Sequence, residues 1–114
     1  MIADEDRRRL CDMADHARYA IDLLGDLGTS DLATDMRSRF AVVHAIEIVG
    51  EAAAKVSTSA RTGVALPWTR VVGMRNILIH GYPDIDLSRV VNVVRNDLPA
   101  LIAQIEAALG DLDT

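Results

Sequence analysis

The chain has 114 residues, room for one domain with one compact core, and half of it is hydrophobic while only 4% is aromatic. Leu, Ile, Val, Ala and Met must therefore build the interior, which suits closely packed helices, and so high an apolar fraction with a net charge of only −5 excludes a disordered chain. The same acidity, with Lys55 as the one lysine, argues against broad, sequence-independent nucleic-acid binding but leaves room for a small phosphate site built on arginine.

The first predicted helix runs from about Asp4 to Leu24, with Leu10, Met13, Ala17, Ile21 and Leu24 at helical spacing on one face. Gly25 and Gly28 end it in the turn-rich stretch "GDLGTSD". The second predicted helix starts after Thr29 or Ser30, either of which could cap it, and extends to about Val56. It carries two apolar phases: Phe40, Val43, Glu47, Gly50, Ala54, and Val42, Ile46, Val49, Ala53, Val56. So wide a stripe implies contacts on two sides, one of them with another chain. "STSARTG" reads as a polar loop.

Pro67 is placed as a first-turn proline of a third helix, whose apolar residues are Trp68, Val71, Val72, Ile77, Leu78 and Ile79. Gly81 and Pro83 form its stop signal, so His80 is expected in the last turn. A fourth helix begins near Asp84 or Asp86 and reaches about Leu109, with the stripe Leu87, Val90, Val94, Leu98, Leu101, Ile105, Ala108. Pro99 lies inside that stripe and should kink or split the helix. No strand alternation competes, so the expected fold is all-α, an antiparallel bundle of four or five helices forming a single domain over residues 1–114. No apolar run is long enough to cross a bilayer, and "MIADEDRRRL" lacks the apolar stretch of a signal peptide. The lone Cys11 permits no internal disulfide, which fits a cytoplasmic protein.

Chemistry is then narrowed by elimination. His16, His44 and His80 are far apart in sequence and make no familiar metal-ligand spacing, so neither a metal nor a cofactor is expected. Glu47 and Glu51, one turn apart, could hold a hard cation, but a solvated or interfacial polar pair is the favoured reading. Cys11 has no neighbouring base and reads as a small core residue. The run "RNILIHGY" remains, with Arg75, His80 and Tyr82 at the end of an apolar helix and Asn76 on the face of His80. Residue chemistry leaves two explanations open. His80 can cap carbonyls and meet the helix dipole while Arg75 pairs with Asp84 or Asp86. Alternatively, the groups serve metal-free phosphodiester chemistry on RNA, in which the 2′-hydroxyl is the nucleophile. Histidine would then move the proton and arginine would hold the phosphate oxygens. A two-fold dimer would supply two imidazoles, one as base and one as acid.

"RNILIHGY" also fits the R-x4-H-x-Y signature of the HEPN superfamily, and the chain resembles the HepT-like toxins of the HepT/MntA toxin–antitoxin systems. "AIEIVGEAAAKVS" resembles that family's Gly-Glu-Ala segment, "PWTRVVGMRNILIHGY" its Trp-to-motif block, and "DIDLSRVVNVVRNDLPALIAQI" its closing helix. The resemblance implies an all-helical homodimer and a metal-independent endoribonuclease toxin of type VII, acting on RNA, tRNA included. By position it makes Arg75 and His80 the catalytic pair. Tyr82 matches the tyrosine to which a cognate minimal nucleotidyltransferase (MntA-like) antitoxin adds AMP, and toxin and antitoxin can form higher-order complexes. Glu51 falls in the matching block and is expected to orient Arg75, with Asn76 as a second supporting residue. His44 stands where the family often has arginine and is expected to be packed. The alternative function is a non-catalytic HEPN module that binds nucleotide or scaffolds a nucleotidyltransferase complex, which the acidic charge and scarcity of lysine favour.

Overall fold

The computed structural model describes residues 2–76 and 86–113, the last three of these by their backbone alone. Its frame is three long helices: α1 (Asp4–Leu24), α3 (Met36–Ala54) and α7 (Leu98–Asp113). Short helices join them, namely α2 (Thr29–Thr34), α4 (Thr58–Arg61), α5 (Trp68–Gly73) and α6 (Leu87–Asn92). No strand occurs among the described residues, and the fold is all-α as expected. Nor is any helix among them long and apolar enough to cross a membrane.

Contacts at both ends of α1 fix the directions of its partners. Asp6, near its start, receives hydrogen bonds from Ser57, just past the end of α3, while Leu23 shares a surface trough with Ala41 in the first half of α3. Arg95 donates to the carbonyl of Leu27 at 2.7 Å, and Arg18 pairs with Glu106 further along α7. Both α3 and α7 therefore run antiparallel to α1. Between the three helices lie Leu10, Met13 and Leu24 of α1, Val42, Ile46 and Val49 of α3, and Leu98 and Ile105 of α7, all 0–1% exposed. Val90 and Val94 extend that core toward α6, as the spacing of their stripe predicts.

Several boundaries differ from the sequence expectation, each for a local reason. The region after Gly28 is two helices rather than one. Asp35 has extended backbone angles, and its carboxylate accepts from the Ser38 backbone N–H at 3.2 Å and the Ser38 hydroxyl at 2.7 Å, so it caps a fresh helix. These bonds hold the Asp35 carboxyl below its usual pKa. Thr29 and Ser30 lie inside the short α2 and cap nothing. Arg39 then donates to the carbonyls of Leu32 and Ala33, satisfying the end of α2. "STSARTG" is likewise a helical turn and not a loop, because Ser57 caps α4 by accepting from the Ala60 N–H.

Pro67 sits one residue before α5, and that helix tightens after Gly73 into a three-residue 3₁₀ turn, Met74–Asn76. The remainder of the expected third helix, with Ile77, Leu78, Ile79, His80, Gly81, Tyr82, Pro83 and Asp84, lies outside the described residues. Asp86, one of the two starts expected for the fourth helix, caps α6, accepting from Arg89 N–H and the Ser88 hydroxyl. The disturbance expected at Pro99 is a single wide π-helical turn, Val93–Asp97, between α6 and α7. A regular turn would press the proline ring on the carbonyl four residues earlier, and the wide turn instead sends the Leu98 N–H back to the Val93 carbonyl.

Asp6 is the one charged residue buried among those described. Its carboxylate accepts from Ser57 N–H at 2.8 Å and Ser57 hydroxyl at 2.7 Å, which hold its pKa below the ordinary value against the opposing effect of burial. Replacing Asp6 by Asn should lower the melting temperature by several degrees at neutral pH, because the start of α1 loses its tie to the end of α3. A carboxylate with a lowered folded pKa contributes fully above its unfolded pKa of about 3.9 and loses that contribution as the pH falls through the folded value. Melting curves of the two proteins should therefore converge only under strongly acid conditions; a gap that stays constant down to about pH 2 would refute this role.

Candidate active site

Arg75 is held by a succession of contacts that begins at the end of α3. Arg61, from α4, donates through Nε to the Val56 carbonyl and through Nη2 to the Ala53 carbonyl, both at 3.1 Å. Its guanidinium also lies over the Trp68 ring, 5.3 Å from the centroid. The Trp68 indole N–H in turn donates to the carbonyls of Arg61 and Val64, at 3.2 and 3.1 Å. That fixes the first residue of α5. Val71 and Met74 are then buried, at 2% and 5% exposed, and the next residue in the tight turn is Arg75.

The Arg75 turn lies directly on α3. A Cβ built at Gly50 would stand 2.2 Å from the Arg75 nitrogen and 2.9 Å from its Cα, so the two backbones meet where residue 50 has no side chain. Glu51, the next residue, is exposed and brings its Oε1 to 3.7 Å from Arg75 Nη1. The guanidinium does not meet Asp86, whose carboxylate is engaged at the α6 cap. The Arg75 side chain keeps 40% of its accessible surface. An exposed pair of this length is worth about 0.2–1 kcal/mol at most, so it adds little to the stability of the fold. Asn76 is half-buried in the same turn. Of the residues expected to form the site, Arg75, Asn76 and Glu51 are thus brought together, whereas His80 and Tyr82 lie outside the described residues.

His44 is exposed rather than packed, contrary to the sequence expectation, because its turn of α3 faces outward while Val42, Val43 and Ile46 take the core positions. It lines a trough of about 500 Å³ between α1 and α3, with His16, Tyr19, Leu23, Ala41 and Ile48. Tyr19 and Leu23 in the trough, and Met36 and Phe40 along α3, are 45–57% exposed. The broad stripe of α3 is mostly covered. Its phase from Val42 to Val56 is buried, and in the other phase Val43 and Gly50 are buried, Glu47 and Ala54 are half-buried and Phe40 faces outward. Burial raises the Glu47 carboxyl pKa, and His44 partly opposes the rise. Cys11 is half-buried at a surface groove shared with Ala14, Arg18 and Ile105, not in the core. Among the described residues no group of three or more His, Cys, Asp or Glu could hold a metal ion.

Sequence periodicity alone missed the role of Gly50, although a glycine within an apolar helix is the usual mark of a close backbone approach. The family comparison covers this whole arrangement. Residues 13–108 match the model of the HepT-like ribonuclease family. A protein of Methanocaldococcus jannaschii, named as a candidate RNase, is 33% identical over 98 residues, which are 85% of this chain and 90% of that protein. A Thermococcus cleftensis protein named as a probable ribonuclease HepT is 29% identical over 96 residues, 83% of this chain and 87% of its own length. No solved structure matches. With a family model spanning α1 to α7 and relatives matched over nearly their full length, the chain belongs to the HepT-like ribonuclease family.

Proposed function

We propose that the protein is a metal-independent endoribonuclease that cleaves RNA at its R-x4-H-x-Y run and acts as the toxin of a type VII toxin–antitoxin pair. The observation that supports this most is the state of Arg75. Its backbone is tightly seated on Gly50, yet its guanidinium is open to water and, among the described residues, pairs with Glu51 at long range. Such a guanidinium is available to the non-bridging oxygens of a phosphodiester and to the charge that builds on them during attack by the 2′-hydroxyl. His80 moves the proton: as base it accepts from the 2′-hydroxyl, and as acid it gives a proton to the departing 5′-oxygen.

One imidazole cannot do both in a single concerted step, and a homodimer supplies the second. The outward edge of α3 favours this reading. Phe40, His44 and Ile48 follow one another at four-residue intervals, and Glu51 continues the row to the Arg75 turn. A second copy that covers Phe40 and continues along His44 and Ile48 would border the proposed site. The cognate nucleotidyltransferase silences the enzyme by adding AMP to Tyr82, two residues from His80, where a bulky anion would fill the cleft and repel the RNA phosphate.

One two-part experiment tests the proposal. The purified protein should cleave RNA in excess EDTA. After incubation with the nucleotidyltransferase and ATP, its intact mass should rise by one adenylate and cleavage should stop. RNA left whole in EDTA, with binding retained, would select the non-catalytic module instead. A mass gain that persists in Tyr82→Phe would reject the tyrosine as the acceptor.

A further inference from the structure

Two consecutive residues of α3 meet the same arginine in different ways. Gly50 meets its backbone: any side-chain carbon there would lie 2.2 Å from the Arg75 nitrogen and 2.9 Å from the Met74 carbonyl carbon, distances that real Cβ atoms do not adopt. The turn occupies this place because residue 50 has only hydrogen on that side. Glu51 meets the side chain, with its carboxylate 3.7 Å from the guanidinium and both groups open to solvent at 57% and 40%. We propose that Gly50 and Glu51 are positioning residues for Arg75: Gly50 sets how closely the turn sits on α3, and Glu51 holds the guanidinium in the free protein and yields it to an RNA phosphate.

This proposal rests on the role assigned above to Arg75. The yielding step follows from the geometry of the pair. At 3.7 Å the contact is longer than a hydrogen bond, and its exposure to water and salt makes it weak. A phosphodiester offers anionic oxygens that can take two N–H donors of the guanidinium fork at hydrogen-bonding distance. Exchange of one anion for the other therefore costs little, and the side chain is already pointed away from the core when RNA arrives. Glu51 has a second effect of opposite sign. Its negative charge stays beside the place where the phosphate binds, so it weakens the RNA complex while it improves the direction of the arginine. A residue that merely stabilised the fold would not move binding and turnover in opposite senses.

The test uses the full chain carrying Glu51→Gln, Glu51→Asp or Gly50→Ala. Expected for Glu51→Gln is a KM for RNA lower by about threefold, since a repelling charge is gone. Its kcat should fall by about tenfold, since the guanidinium is less well aimed. Glu51→Asp, which keeps the charge on a shorter stem, should recover part of the turnover. Independently of cleavage, the Arg75 Nε–H signal in an ¹⁵N spectrum, assigned by its loss in Arg75→Lys, should move in Glu51→Gln. The wild-type and Glu51→Gln signals should then converge when an uncleavable 2′-deoxy oligonucleotide is added. Gly50→Ala should shift the same signal and lower the melting temperature; an unaltered signal and melting temperature would remove Gly50 from the proposal. An Arg75 signal indifferent to Glu51→Gln, or kcat and KM that stay at wild-type values, would overturn the role of Glu51. If the wild type cleaves no RNA, the ribonuclease reading falls, and the spectra with the oligonucleotide still decide whether Glu51 holds and releases the arginine. Should Gly50→Ala fail to fold, the Glu51 variants decide the outcome alone.

Discussion

Arg75→Ala is expected to lower RNA cleavage in EDTA by about 10²–10³-fold while leaving the helical signal and the melting temperature near those of the wild type. The two halves of that expectation come from the same side chain. Its guanidinium is exposed and, among the described residues, makes one long ion pair, so its removal takes little from the fold. In the proposed reaction it faces the charge that grows on the phosphate, and a fixed donor aimed at developing charge is worth far more in the transition state than in the resting protein. Arg75→Lys should rescue only partly, because an ammonium cannot present the two parallel donors of a guanidinium. His80→Ala should lose activity by about 10²–10⁴-fold, as expected when a general acid or base is removed. Combining it with Arg75→Ala should cost less than the sum of the two. Cleavage within twofold of wild type in either single variant would remove that residue from the chemistry.

Phe40→Glu is expected to turn a dimer into monomers and to abolish cleavage with it. Phe40 is 54% exposed in the protomer, so glutamate there is solvated and the single chain should fold normally. Against a second copy the same carboxylate would be buried in an apolar contact without a partner, a penalty of several kcal/mol that a modest interface cannot absorb. The substitution lies about 16 Å along α3 from Glu51 and touches none of the proposed catalytic groups. Loss of cleavage would therefore report on the missing second chain. Sedimentation velocity at micromolar protein, run beside the cleavage assay, distinguishes the outcomes. A monomer with full activity would refute the shared site, and a persistent dimer would place the interface elsewhere.

The features legible in the sequence are those carried by periodicity. The core faces of α1, α3 and α7 follow the apolar stripes because burial acts on every turn of a long helix, and Leu10, Ile46 and Ile105 lie where the stripe puts them. Features set by one or two hydrogen bonds were harder to read. Asp35 starts α3 chiefly through side-chain bonds to Ser38, and nothing in the apolar spacing distinguishes it from Thr29 or Ser30. Ser57 turns a polar stretch into α4 by the same means. Proline chemistry announces a disturbance near Pro99 but not its form, since a kink, a break and a wide turn all relieve the same clash. At the candidate site, the run from Arg75 to Tyr82 stands out because charged and aromatic groups interrupt an aliphatic stretch. The contact between Gly50 and Arg75 joins positions 25 residues apart, and a tertiary approach of that kind leaves no mark on spacing beyond the glycine itself.

Arg61, a residue of α4, does two jobs with one planar group: it closes the Ala53 carbonyl of α3 and the Val56 carbonyl just beyond it, and it shelters the indole from which α5 begins. A lysine there could donate to carbonyls but has no planar group to lie flat on the ring. Variation at this remote position would therefore act like a set-screw on the guanidinium fourteen residues further on, altering its aim from a distance.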